Sequence, residues 1–197
     1  MIKIPIFAMA LLAAGGAHAA SIVVNGGFEG SAADAAPTGW TITGTTEPWV
    51  RVSPSSGITA FEGSQQLQFR GNTGDTSISQ ALTTVALTEY DLSFALAALN
   101  GPAGLSVLVT VTSGGGTLGD LFSETFTFAS INAYTTYDRT FTASNTTSTL
   151  RFLETSSNTD GKDPYLDDVS VTAVPEPSAF TLLGIGLVAL MLRRRRS

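Results

Sequence analysis

Between residues 20 and 173 the chain alternates polar and apolar side chains at a period of two, over and over. Gln66, Gln68 and Arg70 alternate with Leu67 and Phe69, and Ser93 sits among Leu92, Phe94 and Leu96. Thr110 and Thr112 flank Val111, Thr125 and Thr127 flank Phe126, and Thr140 and Thr142 flank Phe141. Arg151 lies between Leu150 and Phe152, and Asp168 and Ser170 alternate with Val169 and Val171. Successive side chains of an extended strand point to opposite faces, so this period belongs to strands with one wet and one buried face. The Thr, Val and Phe that dominate the runs also favour strands.

The runs are short, and turn-forming residues separate them at 31–39, 53–57, 71–74, 100–104, 113–119, 144–147 and 155–164. Many short strands at such spacing predict an all-β, antiparallel two-sheet sandwich. The Ala- and Leu-rich stretch 81–99 leaves room for a helical turn, but its Asp91–Leu96 alternation favours strand. There is no fixed repeat and no sign of a second folded domain. We expect three segments: 1–19, a sandwich over 20–173, and 174–197.

The first segment reads as a signal peptide. Lys3 supplies the positive start, residues 4–14 an apolar stretch too short to span a bilayer, and Ala17-His18-Ala19 a small-residue cleavage site. Cleavage after Ala19 removes His18, the single histidine, and the chain has no cysteine. The body then lacks the groups of the usual triads, thiol enzymes and His-rich zinc sites. It holds five basic residues against fifteen acidic ones, a net charge of −10. That balance disfavours nucleic acid, which rewards clustered Lys and Arg.

The chain ends in an apolar run, 178–192, that stops against Arg193, Arg194, Arg195 and Arg196. Fifteen residues make a helix of about 22 Å, short of the bilayer core of about 30 Å. The arginines would hold Ser197 in the cytoplasm and the body outside. Pro175-Glu176-Pro177, the glycine-bearing apolar segment and the arginine cluster together resemble the PEP-CTERM sorting signal of Gram-negative bacteria. The resemblance implies export, transient residence in the inner membrane through 178–192, and processing by an exosortase near Pro175–Pro177. Delivery to the cell surface or to an exopolysaccharide or biofilm matrix would follow.

Two stretches of the body carry a second resemblance. Asn25-Gly26-Gly27-Phe28-Glu29 with Gly39-Trp40, and the closing Asp167-Asp168-Val169-Ser170-Val171, are similar to the galactose-binding-like and carbohydrate-binding-module jelly rolls. Phe61-Glu62-Gly63-Ser64 resembles the glycine turn before a central strand of that fold. The resemblance implies a jelly roll whose first and last strands lie side by side. It also implies a structural Ca²⁺ near Glu29 and Asp167, with Glu62 and Asp168 as further candidates. On strict alternation Asp167 shares a face with Val169 and Val171 and points into the core, where a carboxylate needs a cation or hydrogen-bond donors. The alternative is that Asp167 caps backbone N–H groups while Glu29 faces solvent.

Sugar rings stack on aromatic faces, and Trp49, Tyr134, Tyr137 and Tyr165 are the candidate platforms, whereas Trp40 is expected in the core. The reading that follows is a non-catalytic surface or matrix protein with weak carbohydrate binding. The alternatives are a purely structural matrix protein, or a glycosidase built on two carboxylates about 5–10 Å apart. Ice binding, suggested by the Thr-x-Thr pattern, is a distant fourth.

Overall fold

A computed structural model describes residues 19–44, 48–70, 76–100, 104–114, 119–128, 132–157 and 162–175. The segment expected to be a signal peptide, up to residue 18, and the tail from 176 onward lie outside the described residues. Residues 20–174 form one compact unit. Among the described residues no helix is long and apolar enough to cross a membrane.

The unit contains ten strands: β1 Thr41–Thr43, β2 Trp49–Val52, β3 Gln65–Gln68, β4 Ser77–Thr83, β5 Glu89–Ala98, β6 Ser106–Ser113, β7 Asp120–Thr127, β8 Thr135–Thr142, β9 Thr147–Glu154 and β10 Pro164–Ala173. They form two antiparallel sheets of five, ordered β1-β4-β9-β6-β7 and β2-β3-β10-β5-β8. The stretch 81–99 holds the end of β4, a turn over 84–88 and β5, and no helix. The alternation appears as burial. In β6 Val107, Val109 and Val111 are fully buried while Leu108, Thr110 and Thr112 are half-exposed.

Phe28, Trp40, Leu67, Phe69, Phe94, Phe126, Phe141 and Phe152 fill the space between the sheets. Trp40 packs there as expected, between Phe28 and Phe152, and its indole N–H donates to the Asn25 carbonyl at 3.2 Å. At the open edge Arg139 of β8 forks onto both carboxylate oxygens of Glu124 on β7, tying one sheet to the other.

The N-terminal segment runs beside β10. Ile22 N–H donates to Val171 O at 2.8 Å, and Val169 N–H to Gly26 O at 3.1 Å. A Cβ at position 26 would lie 1.9 Å from Val169 O, so only glycine allows this approach. The Gln80 amide fixes the same segment through Val24 N–H, Val24 O and Gly39 O.

The Thr-x-Thr residues do not form one array. Thr110 and Thr112 share the outer side of the first sheet with Thr125 and Thr127, whereas Thr140 and Thr142 belong to the second sheet. In the first sheet Arg151 stands beside Thr110, and its Nε–H donates to the Ser77 hydroxyl at 3.1 Å.

Candidate functional site

The outer side of the second sheet is half covered. The segment 53–64 leaves β2, crosses this face and returns as β3. Beneath it Ile58, Ala97, Leu99 and Tyr165 make a second small apolar cluster, with Tyr134 packed against it. Gln66 is fully buried there, donating from its amide to Ile58 O at 3.1 Å and accepting from the Tyr134 hydroxyl at 2.8 Å. Such a polar residue tolerates burial because both ends of its amide are answered.

Asp167 is fully buried, but not where strict alternation puts it. Pairing of β10 with β5 slips between Asp167 and Ser170, where Asp168 and Val169 together face Phe94, and Asp168 has φ +49°. This bulge changes the phase of the strand. Leu166, Val169 and Val171 therefore face the main core, while Asp167 joins Tyr165 beneath the 53–64 segment. Its Oδ2 accepts the N–H groups of Phe61 and Glu62 at 2.8 and 3.2 Å, and its Oδ1 accepts Asp168 N–H at 2.8 Å. Burial pushes the Asp167 carboxyl up to about 6 in spite of these donors.

Glu29 reaches the other half of the same turn from solvent. Its Oε1 accepts Ser64 N–H and Gln65 N–H, both at 2.6 Å, and its Oε2 accepts the Ser64 hydroxyl at 2.8 Å. Gly63 stands between the two grips with φ +63°, and a Cβ there would lie 2.4 Å from Glu29 Oε1. Burial works against the charged form of Glu29, but the Ser64 and Gln65 donors outweigh it and hold the carboxyl below its ordinary value. Asp168 is pushed up by burial and by Glu62, which touches it.

All four carboxylates predicted as calcium ligands thus lie on or against the turn 61–65. Calcium takes six to eight oxygens. Among the described residues no group of three or more acidic side chains is arranged to hold a metal. Glu29 and Asp167 already give their oxygens to six donor contacts. This donor set fits a turn staple and does not fit a calcium cage.

Of the four candidate aromatics, three are packing residues. Tyr165 and Tyr134 lie in the small cluster, and Tyr137 packs on Phe94 and Phe126 in the main core. Trp49 is different. It begins the edge strand β2 on the outer side, in register with Gln68 of β3. The Arg70 guanidinium lies 3.6 Å from the centre of its ring, and that of Arg51 lies 5.9 Å away. Gln68 donates from Nε2 to Asp163 Oδ2 at 2.7 Å. Its own Oε1 is buried without a partner among the described residues. Burial pushes the Asp163 carboxyl up, opposed by the Gln68 amide and by the charges of Arg70 and Arg51. Arg51 also pairs with Asp34 beside a hollow of about 320 Å³ reaching Val52, Pro54 and Ser56. One end of the second sheet therefore gathers an aromatic face, two guanidiniums, an amide and a carboxyl, the groups that stack on and hydrogen-bond sugars. The alternation of Gln66, Gln68 and Arg70 announced their shared face; nothing in the sequence announced that Trp49 joins it.

A shallow hollow of about 520 Å³ is lined by Asp91, Asp138, Arg139 and Thr140. Asp91 and Asp138 are exposed. Of the residues expected in processing, Ala19 and Pro175 are described. Ala17, Glu176, Pro177 and Arg193 to Arg196 lie outside the described residues.

Among curated proteins none matches the sequence. Solved structures do match the fold. A carbohydrate-binding module, TmCBM61 in complex with β-1,4-galactotriose, aligns with a TM-score of 0.59 and 17% identity, over 78% of this chain and 99% of its own. The CBM22-1 xylan-binding domain of Paenibacillus barcinonensis Xyn10C aligns with a TM-score of 0.53 and 24% identity, over 80% and 97%. An α-L-arabinofuranosidase, MgGH51, aligns with a TM-score of 0.56 and 14% identity, over 81% of this chain but 27% of its own. The sandwich is thus a jelly roll of the carbohydrate-binding-module type. Residues 173–196 match the PEP-CTERM protein-sorting motif, which marks an exported protein. The body, over residues 21–172, matches the model described as "Protein of unknown function (DUF642)", and the chain belongs to that family.

Proposed function

We propose that this protein is a non-catalytic polysaccharide-binding module. It is exported, processed by an exosortase at its C-terminal motif, and put to work at the cell surface or in an extracellular exopolysaccharide matrix. The observation that carries the reading is the cluster at Trp49, where an outward-facing tryptophan on an edge strand meets Arg51, Arg70, Gln68 and Asp163. The sorting motif and the carbohydrate-binding modules that share the fold support it. So does the absence of His and Cys from residues 20–173.

Affinity electrophoresis of the full chain through gels loaded with bacterial and plant polysaccharides tests this reading. Retardation by at least one polysaccharide, lost in Trp49→Ala, is expected. Unretarded migration through every gel would leave a structural matrix protein without a ligand. Intact mass of the form released by the host tests the processing. A released form that keeps Arg193 to Arg196 contradicts removal of the tag.

A further inference from the structure

We infer that the Trp49 site takes an acidic polysaccharide, one whose sugars carry carboxylates; this rests on reading the site as a glycan-binding surface. The reason is what covers the ring. The Arg70 guanidinium lies 3.6 Å from the Trp49 centroid, so it occupies one of the two faces on which a neutral sugar could stack. A neutral ring must displace it to use that face. An acidic sugar can use it.

A guanidinium resting on an aromatic face keeps its N–H donors in its own plane, around its rim. That fork matches the two oxygens of a carboxylate. Arg70 has no ion-pair partner among the described residues, where the two ion pairs are Arg51 with Asp34 and Arg139 with Glu124. Arg51, 5.9 Å from the same ring, supplies a second cation. Its pairing with the exposed Asp34 is a surface contact, which binds weakly and can be exchanged.

Besides Asp34, the carboxyl that feels both cations is Asp163, and it opposes an incoming anion only in part. It already accepts the Gln68 amide, and burial favours its neutral form. Gln68 Oε1, buried and without a partner among the described residues, is an acceptor that a shifted Arg70 can answer. The charge inventory points the same way. The body carries five basic residues against fifteen acidic ones, yet two of the five converge on this single ring.

The test compares two named probes with the full chain, polygalacturonate and neutral galactan, by affinity electrophoresis and calorimetry. Polygalacturonate is expected to bind at least about tenfold more tightly, a difference of the size charged contacts supply. That binding should weaken in about 0.5 M NaCl, where surface charges are screened. Arg70→Gln should remove the preference at an unchanged Tm, and Arg70→Lys, with the charge but not the fork, should restore part of it. Equal binding of both probes, unaffected by Arg70→Gln, overturns the acidic class while leaving a glycan-binding site in place. If neither probe nor any other polysaccharide binds, and Trp49→Ala changes nothing, the glycan reading falls and the acidic class falls with it.

Discussion

Glu29 and Asp167 hold one turn from its two ends. Asp167, under the turn, takes the N–H groups of Phe61 and Glu62; Glu29, above it, takes those of Ser64 and Gln65. Four N–H donors, two on each side of Gly63, go to two side chains that are 138 positions apart in the sequence. The turn in question starts the strand beside Trp49, so its fixation bears on the binding face as well as on the fold.

Asp167 should make the protein less stable as pH rises. Its carboxyl is raised in the folded state to about 6, from an unfolded value of 3.8. The folded chain therefore binds more protons between these values, and stability is fully present below about 4 and lost as pH climbs through 6. The loss is on the order of 1–3 kcal/mol. Asp167→Asn keeps one acceptor oxygen, for the Phe61 and Glu62 N–H groups, gives up the one that faces Asp168 N–H, and removes the charge. It should flatten this part of the pH profile in thermal melts and raise Tm at pH 7. A variant with the wild-type slope between pH 4 and 7 would show that Asp167 is not the group titrating.

Glu29 has the opposite sign. Its folded carboxyl is held below the ordinary value by the Ser64 and Gln65 donors. Its contribution is thus present above the unfolded value near 4.5 and disappears as pH falls through the lower folded value. Glu29→Gln should cost about 1 kcal/mol at pH 7, since the site is exposed and water competes. The cost should vanish in melts at low pH.

Calcium is tested by the same melts. Because the oxygens of Glu29 and Asp167 are taken by donors, EDTA should leave Tm unchanged at pH 7. A fall of several degrees, reversed by added calcium and absent in Asp168→Asn, would instead put a cation between Glu62 and Asp168.

Gly26→Ala should be the most damaging small substitution. A methyl group would sit 1.9 Å from Val169 O and push the N-terminal segment off β10. We expect a loss of about 2–4 kcal/mol, as for other backbone clashes in a packed interior. Faster hydrogen exchange should appear at Ile22 and Val169, whose N–H groups close this seam. Normal protection at those two amides would contradict the assignment.

The sheets were legible because alternation is enforced by a simple cost: each strand must wet one face and dry the other. Leu67 and Phe69 went inward and Trp40 went into the core for that reason. The same rule misplaced Asp167, because a bulge inserts one residue and reverses the phase beyond it. The sign was the Asp167-Asp168 pair, since Asp is among the few residues that accept the left-handed backbone Asp168 adopts. The break at 53–57 and the glycine turn at 61–64 read as bare turns, although Ile58 between them is apolar and fully buried. What a loop covers is decided by side chains far along the chain. The same holds for the gathering at Trp49, where Gln68, Arg70 and Asp163 arrive from two other strands and their flanks.

The position of β10 in the middle of its sheet has a mechanical consequence. It is flanked by β3 and β5 and carries the chain out of the domain at Val174, while Trp49 stands two strands away on β2. A pull between a polysaccharide at Trp49 and whatever holds the C-terminal end would travel through β2, β3 and β10 within one sheet. Strands loaded along their length must slip many hydrogen bonds together rather than open them one at a time. The apolar layer between the two sheets would carry none of that load.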